Sequence, residues 1–156
     1  MLTKQPGLPG TIRRAKPEDA CRLAEIEVFN YRLNFYPIFR SDEYYFDELR
    51  VDRQTERWMK GDWLKDAYVY DDGVVKGFIR LKDDEVVKLF VEPVLHGQGI
   101  GAALLEHAVA QHGVRWLWAL EKNEGAVRFY ARHGFMPSGE RTPEEDTDEY
   151  LVKLVR

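Results

Sequence analysis

Apolar positions recur along this chain with two periods, and each change of period marks an element. Ala20, Leu23, Ala24 and Val28 share one face of a helix. Pro17 stands where a first helical residue would, with Glu18 and Asp19 at the positive end of the helix dipole. A second helix is expected from about Asp42 to Gly61. "DAYVYDDGVVKGFIRLKDDEVVKLFVEP" reads as three strands, turned at Asp71-Asp72-Gly73 and at Lys82-Asp83-Asp84. Helical spacing returns from about Ile100 to Gln111 and stops at Gly113. "VRWLWAL" is a strand of alternating bulk, Asn123 opens a further helix that stops at Gly134, and "FMPSG" and "EYLVKLV" close the chain as strands. With a short strand at Thr11 to Arg14, the order is β-α-α-β-β-β-α-β-α-β-β. That order predicts an α/β fold of the α+β kind, a mixed sheet with helices on its faces.

Bulk properties narrow the classes. The 156 residues suit a single domain over 1–156, with residues 1–10 expected as a loose tail. A chain 44% hydrophobic and 32% charged is expected to be soluble, and no run has the length of a membrane span. "MLTKQPGLPGTIRR" has no apolar signal region, and Cys21, the only cysteine, cannot form an internal disulfide; both fit a cytoplasmic location. A net charge of −4 argues against nucleic acid as a partner, because that binding needs a basic face. No metal site is expected: His107 and His112 are five apart on a helix, and there is no cysteine pair. Cys21 has no histidine near it in sequence to activate it as a nucleophile.

Chemistry concentrates in "LFVEPVLHGQGIGAALLEH", Leu89 to His107. Gly97, Gly99 and Gly101 alternate between a strand and a helix start, and glycine costs backbone entropy on folding. The first N–H groups of a helix have no partner inside it and face the positive end of the dipole, so they can hold an anion. Side chains at 97, 99 and 101 would block that approach, which points to a pyrophosphate-bearing ligand. The competing reading is a tight strand-to-helix turn that binds nothing.

Two phosphate-binding families fit the loop. "GQGIGA" matches a dinucleotide fingerprint, and Glu121 follows where a ribose-binding acid would belong. Against a dinucleotide-binding oxidoreductase, Pro93-Val94-Leu95-His96 separate strand from glycine, and too little chain follows Glu121 for a second βαβαβ half. Over nearly its whole length the sequence instead resembles the GNAT superfamily of acetyl-CoA-dependent N-acetyltransferases. "LFVEPVLHGQGIGAALL" is similar to that family's signature strand, loop and helix. "NEGAVRFYARHGF", from Asn123 to Phe135, is similar to its second motif, in the expected order. One position departs, since His96 stands where Gln or Arg is usual.

The resemblance implies a central, mostly antiparallel sheet flanked by about four helices. It also implies an enzyme, an acyltransferase that moves an acetyl group from acetyl-CoA to a primary amine of a small molecule or peptide in a ternary complex. A non-catalytic acyl-CoA-binding sensor or scaffold is the alternative. The cofactor set is then His96, Gly97, Gln98, Gly99, Ile100, Gly101 and Ala102 at the loop, with Asn123, Phe129 and Tyr130 on the second motif and Leu89, Phe90 and Val91 on the strand, whose N–H groups would face an oxyanion. Tyr130 takes the role of proton donor to the departing thiolate. A phenol near pKa 10 protonates a thiolate whose acid is near 8.5 at a cost of roughly 2 kcal/mol. His96, if it touches a phosphate, would bind more tightly when protonated. Glu85, six residues before Val91, sits where some members carry a base; Glu85 and Lys88, an odd number apart, are expected on opposite sheet faces.

The family's acceptor wall corresponds to the segment from Phe29 to Phe46, which holds eight of the chain's twenty aromatic residues. Tyr31, Phe35, Tyr36, Tyr44 and Tyr45 are its candidate substrate contacts. By the same resemblance the acidic run "RTPEEDTDEY" would border that region, and there it would favour a cationic acceptor. Neither a membrane nor a metal is expected as a partner, and a homodimer is the candidate assembly.

Overall fold

The computed structural model describes residues 3–4 and 8–156. Eight strands form one sheet among these residues, in the spatial order β1-β2-β3-β4-β5-β6-β8-β7. They are β1 (Thr3–Lys4), β2 (Thr11–Arg14), β3 (Ala67–Asp71), β4 (Val75–Lys82), β5 (Glu85–Val91), β6 (Trp116–Leu120), β7 (Met136–Pro143) and β8 (Tyr150–Val155). Every neighbouring pair is antiparallel except β5 and β6.

Helices cover both faces. Val69 and Phe78 pack with Leu23, Ile26 and Trp58 of α1 (Ala20–Asn34) and α3 (Val51–Met59). Their neighbours Tyr70 and Ile79 point the other way, into a cluster with Leu104 and Leu105 of α4 (Ile100–His112), while Tyr130 of α5 (Glu124–Arg132) joins the same cluster. Period-two alternation thus divides the strand residues between two cores. The three central strands turn where expected. Gly73 has φ +113 and its N–H bonds the Asp71 carboxylate at 2.9 Å, and Asp83 has φ +53.

Two expectations fail on this side of the molecule. The helix read from Asp42 to Gly61 is not continuous. A short α2 (Tyr36–Phe39) precedes a π-helical segment, Glu43–Glu48, and the chain then leaves helical geometry at Leu49 and Arg50 before α3. The break swings Leu49, 3% exposed, into a small core with Val28 and Tyr45. No proline or glycine marks it, because burial rather than local chemistry makes it. The tail is also partly tied: Thr3 and Lys4 pair with Ile12 and Thr11, and the Gly10 N–H donates to the Tyr70 hydroxyl at 2.9 Å. The remainder of the expected tail, residues 1, 2 and 5–7, lies outside the described residues.

A bulge corrects the facing of Glu85. Arg80 pairs Lys88 while Leu81 pairs Val86, so β5 advances two residues for one of β4. Parity shifts across Val87, and Val86 and Leu89 join one cluster despite their odd spacing. Glu85 therefore shares its face with Lys88, near Arg80.

β5 and β6 pair at one register only, Glu85 with Trp116. Beyond that point the strands part, and the edge of β5 that faces β6 has no ladder partner.

On the far side of α4, His107 is 7% exposed and neither ring nitrogen has a partner among the described residues. Its ring lies 5.5 Å from Tyr68 and 5.4 Å from His112, and burial depresses the pKa of both histidines. A histidine kept neutral by the fold contributes stability that is whole above its unfolded pKa of about 6.5 and is lost as pH falls through that value toward the depressed one. The melting temperature should therefore drop as pH falls below about 6.5. His107→Leu should flatten that part of the curve; an equally steep melting profile for the variant would refute the assignment.

Candidate functional site

Where β5 and β6 part, a cavity of 220 Å³ opens between Leu89 and Phe90 on one strand and Leu117 to Leu120 on the other. It joins two larger ones. Leu89, Phe90, Asn123, Ala126 and Tyr130 also line a 560 Å³ cavity that runs to the glycine loop. Tyr31, Phe35, Phe39 and Glu144 also line a 650 Å³ cavity on the α1 side. The result is one groove with a narrow centre.

At the loop end, Gly97 has φ +82 and Gly99, the N-cap of α4, has φ +91. A Cβ at either would meet nothing within 4 Å of protein; it would project into the open space before the helix. Conformation and approach thus both favour glycine there. Gly101 differs, since its Cβ would lie 3.6 Å from Phe129 and Val91, ordinary packing distance inside the first turn. The N–H of Ala103 bonds Gly99 O at 3.0 Å, which leaves those of Ile100, Gly101 and Ala102 directed out of the helix. Asn123 caps α5 by accepting from the Ala126 N–H at 3.4 Å.

His96 is not free to reach outward with both nitrogens. Its Nε2 lies 2.9 Å from Val91 O, and since a carbonyl only accepts, Nε2 carries the hydrogen. The same carbonyl accepts from Asn30 Nδ2 at 2.8 Å. Both of its lone pairs are filled just where the β-ladder ends.

Tyr130 stands at the narrow centre, 9% exposed, and burial alone pushes its phenol well above the ordinary value. The α1-side wall rests on Glu27, which is fully buried. Its carboxylate accepts from Gln54 Nε2 at 2.8 Å, Trp58 Nε1 at 3.0 Å and the Tyr31 hydroxyl at 3.3 Å, and it is ion-paired to Lys88. Lys88 lines the wedge, and burial draws its pKa down.

Most of the residues expected at a site meet in this groove. Leu89, Phe90, Val91, His96, Gly97, Gly99, Ile100, Gly101, Ala102, Asn123, Phe129 and Tyr130 line its loop half, and Tyr31, Phe35, Tyr44 and Tyr45 its α1 half. Three do not. Gln98 is exposed on the loop without lining the groove. Tyr36 turns outward, its hydroxyl on Asp42 and its ring on Tyr45 and Phe46. Glu85 sits at the hairpin end of β5, about 20 Å of strand from Val91, and lines none of the three cavities. Glu121, the acid of the dinucleotide reading, is held by Arg141 at 2.9 Å on the surface. Phe39, Asn30, Arg132 and Glu144 line the groove without having been singled out as contacts. Asn30 carried no sequence signal, since an asparagine within a helical stripe reads as solvated.

A family model described as an acetyltransferase (GNAT) domain matches residues 64–137. A peptidyl-lysine N-acetyltransferase of Salmonella typhimurium, YjaB, is 29% identical over 82% of this chain and 84% of its own length. The apo structure of YjaB from Escherichia coli superposes with a TM-score of 0.75 at 25% identity, covering 95% of this chain and 97% of that one. The chain shares the fold of these acetyltransferases and is similar in sequence to GNAT domains over residues 64–137. An uncharacterized N-acetyltransferase of Mycobacterium tuberculosis is 38% identical, but the match spans only 46% of this chain and 52% of that relative. The PaiA N-acetyltransferase of Thermoplasma acidophilum, solved in complex with coenzyme A, shares the fold at a TM-score of 0.62 and 20% identity, over 96% of this chain and all of that one. Within this fold the parted strands, the glycine loop, α4 and α5 line one groove. Among the described residues no group of three or more metal-ligating side chains comes together, and no helix is long and apolar enough to cross a membrane.

The groove wall depends on Glu27. Glu27→Ala would leave the Lys88 cation buried without its partner and two N–H donors unsatisfied. That should cost about 3–5 kcal/mol of unfolding free energy, measurable by urea denaturation. A loss under about 1 kcal/mol would show the pair to be replaceable by solvent.

Proposed function

We propose that this protein is an N-acetyltransferase that passes the acetyl group of acetyl-CoA directly to a primary amine, on a small molecule or a peptide, within a ternary complex. The continuity of the groove carries this reading. An anion site at a helix start and a cavity walled by rings and carboxylates open into one narrow wedge, and Tyr130 lines it.

The glycine loop offers the N–H groups of Ile100, Gly101 and Ala102 to a pyrophosphate, and Arg132 lines the same cavity. The β5 edge between Leu89 and Val91, unpaired by β6, suits the extended arm and the acetyl carbonyl, whose developing oxyanion its N–H groups would stabilise. Tyr130 donates its proton to the departing thiolate. Burial raises the phenol, but a thiolate expelled into the same dry wedge is raised too, so the transfer stays close to balance. The α1-side cavity, lined by Tyr31, Phe35, Tyr44 and Tyr45 with Glu48, Glu144, Glu145 and Asp146, suits a cationic acceptor. The peptidyl-lysine activity in the name of YjaB makes a lysine side chain the first amine to test. The protein works as one unit over 1–156, in the cytoplasm.

Tyr130→Phe keeps the ring and removes the proton. kcat should fall by about 10²–10⁴-fold while acetyl-CoA affinity stays near that of the unmodified protein. Turnover preserved within about twofold would mean that water or substrate protonates the thiolate.

Gly99→Val places a β-branched residue at φ +91 and a side chain in front of the helix start. CoA affinity, read by isothermal titration on folded protein, should weaken by more than about tenfold, or ~1.4 kcal/mol. Unchanged affinity would exclude the loop as the anion site.

A further inference from the structure

Tyr31, Phe35, Phe39 and Glu144 are the side chains common to the α1-side cavity and the wedge. Three are aromatic rings, and the Tyr31 hydroxyl is already given to Glu27. Glu144 is the one carboxylate among them. The other acids are placed differently. Glu48, Glu145 and Asp146 line only the outer cavity. Glu27 is sealed and saturated with donors, and Glu85 lies outside the groove. Glu144 reaches its position because β7 runs to Pro143 beside β8, and the Glu144 N–H bonds Glu149 O at 2.8 Å, which closes the loop over the α1 side. Its cavities are shared with the phenols of Tyr44 and Tyr45 from the π-helical segment and Tyr31 from α1. Lys88 from β5, Tyr130 from α5, Glu48, and Glu145 and Asp146 of its own loop complete the ionisable set.

We propose that Glu144 is the catalytic base of this site: it receives the acceptor ammonium through the ring-lined neck and takes its proton. This rests on the acetyltransferase reading above. The rings stabilise a cation on a slim alkyl chain, and the Glu144 carboxylate lines the same cavity as Tyr130. The incoming R–NH₃⁺ gives one proton to Glu144, which passes it to water. The neutral nitrogen attacks the acetyl carbonyl; the C–N bond forms, and the C–S bond breaks as the thiolate takes the Tyr130 proton. The second nitrogen proton restores the Tyr130 phenol. Ammonium and thioester thus become amide, thiol and one proton in solvent. The neck selects a linear primary alkylammonium, such as a lysine side chain, over a branched or aryl amine.

The test follows CoA release with Nα-acetyl-lysine methylamide as acceptor, across pH 6 to 10 in order-of-magnitude steps of the amine's ionisation. The proteins are the unmodified chain, Glu144→Gln, Glu144→Asp, and Asp148→Asn as a control on the same loop that lines none of the cavities. Glu144→Gln should lose about 10²-fold in kcat, with the residual rate climbing tenfold per pH unit as free amine replaces the base, while acetyl-CoA affinity holds. Glu144→Asp should recover part of the rate, and Asp148→Asn all of it. Glu144→Gln within about twofold of the unmodified protein, with the same pH profile, would overturn the proposal and leave the acetyltransferase reading standing. A raised amine KM at unchanged kcat would also overturn it, reducing Glu144 to a binding contact. If the unmodified protein binds acetyl-CoA but turns over no amine in a broad panel, the enzymatic reading itself falls, and this proposal falls with it.

Discussion

Backbone hydrogen bonding along β5 is the constraint on which the groove depends. A strand inside a sheet normally satisfies both edges, and a buried strand that parts from its neighbour leaves N–H and C=O groups to be accounted for. Here β5 keeps β4 on one side and has β6 only at Glu85. At the far end, the Val91 carbonyl is filled by Asn30 from α1 and His96 from the loop, each at under 3 Å. Helix and loop therefore hold the strand end in place of a ladder. What stays unpaired between is a strip of backbone facing a cavity, a template for an extended ligand chain.

The two flanks of the wedge are built from different physics. On the loop side, glycine geometry and a helix start present backbone donors with no side chain in front. On the α1 side, rings and carboxylates do the work, and the wall stands on a buried ion pair, Glu27 with Lys88. Such a pair is costly to desolvate and strongly destabilising to break. Its retention is best understood through what it orients: Lys88 along β5, Tyr31 at the neck, and Trp58 in the core beneath.

The fold was largely legible. Glycine and aspartate turns, the strands from Ala67 to Val91 and the Asn123 cap are local signals, and they landed within a residue or two of the observed elements, whereas β7 runs four residues beyond the expected FMPSG to Pro143. The site was legible where its chemistry is backbone chemistry: the glycine loop and the second motif are contiguous stretches whose spacing carries the meaning. Glu85, Tyr36 and Asn30 were misjudged or missed for a shared reason. Each depends on a tertiary event: the bulge at Val87, the turn of α2, and the reach of α1 to the end of β5.

By itself, then, the sequence determined most of the elements and their order, the glycine-led helix start and the position of the phenol on α5, because those follow from residues near one another in the chain. Only the tertiary structure decided that β8 inserts between β6 and β7, that β5 and β6 part after one pair, and that Glu144 joins Tyr31 at the neck of the groove. Those contacts join residues more than a hundred positions apart in the last case. No local period encodes them; the burial of two cores on opposite faces of one sheet does.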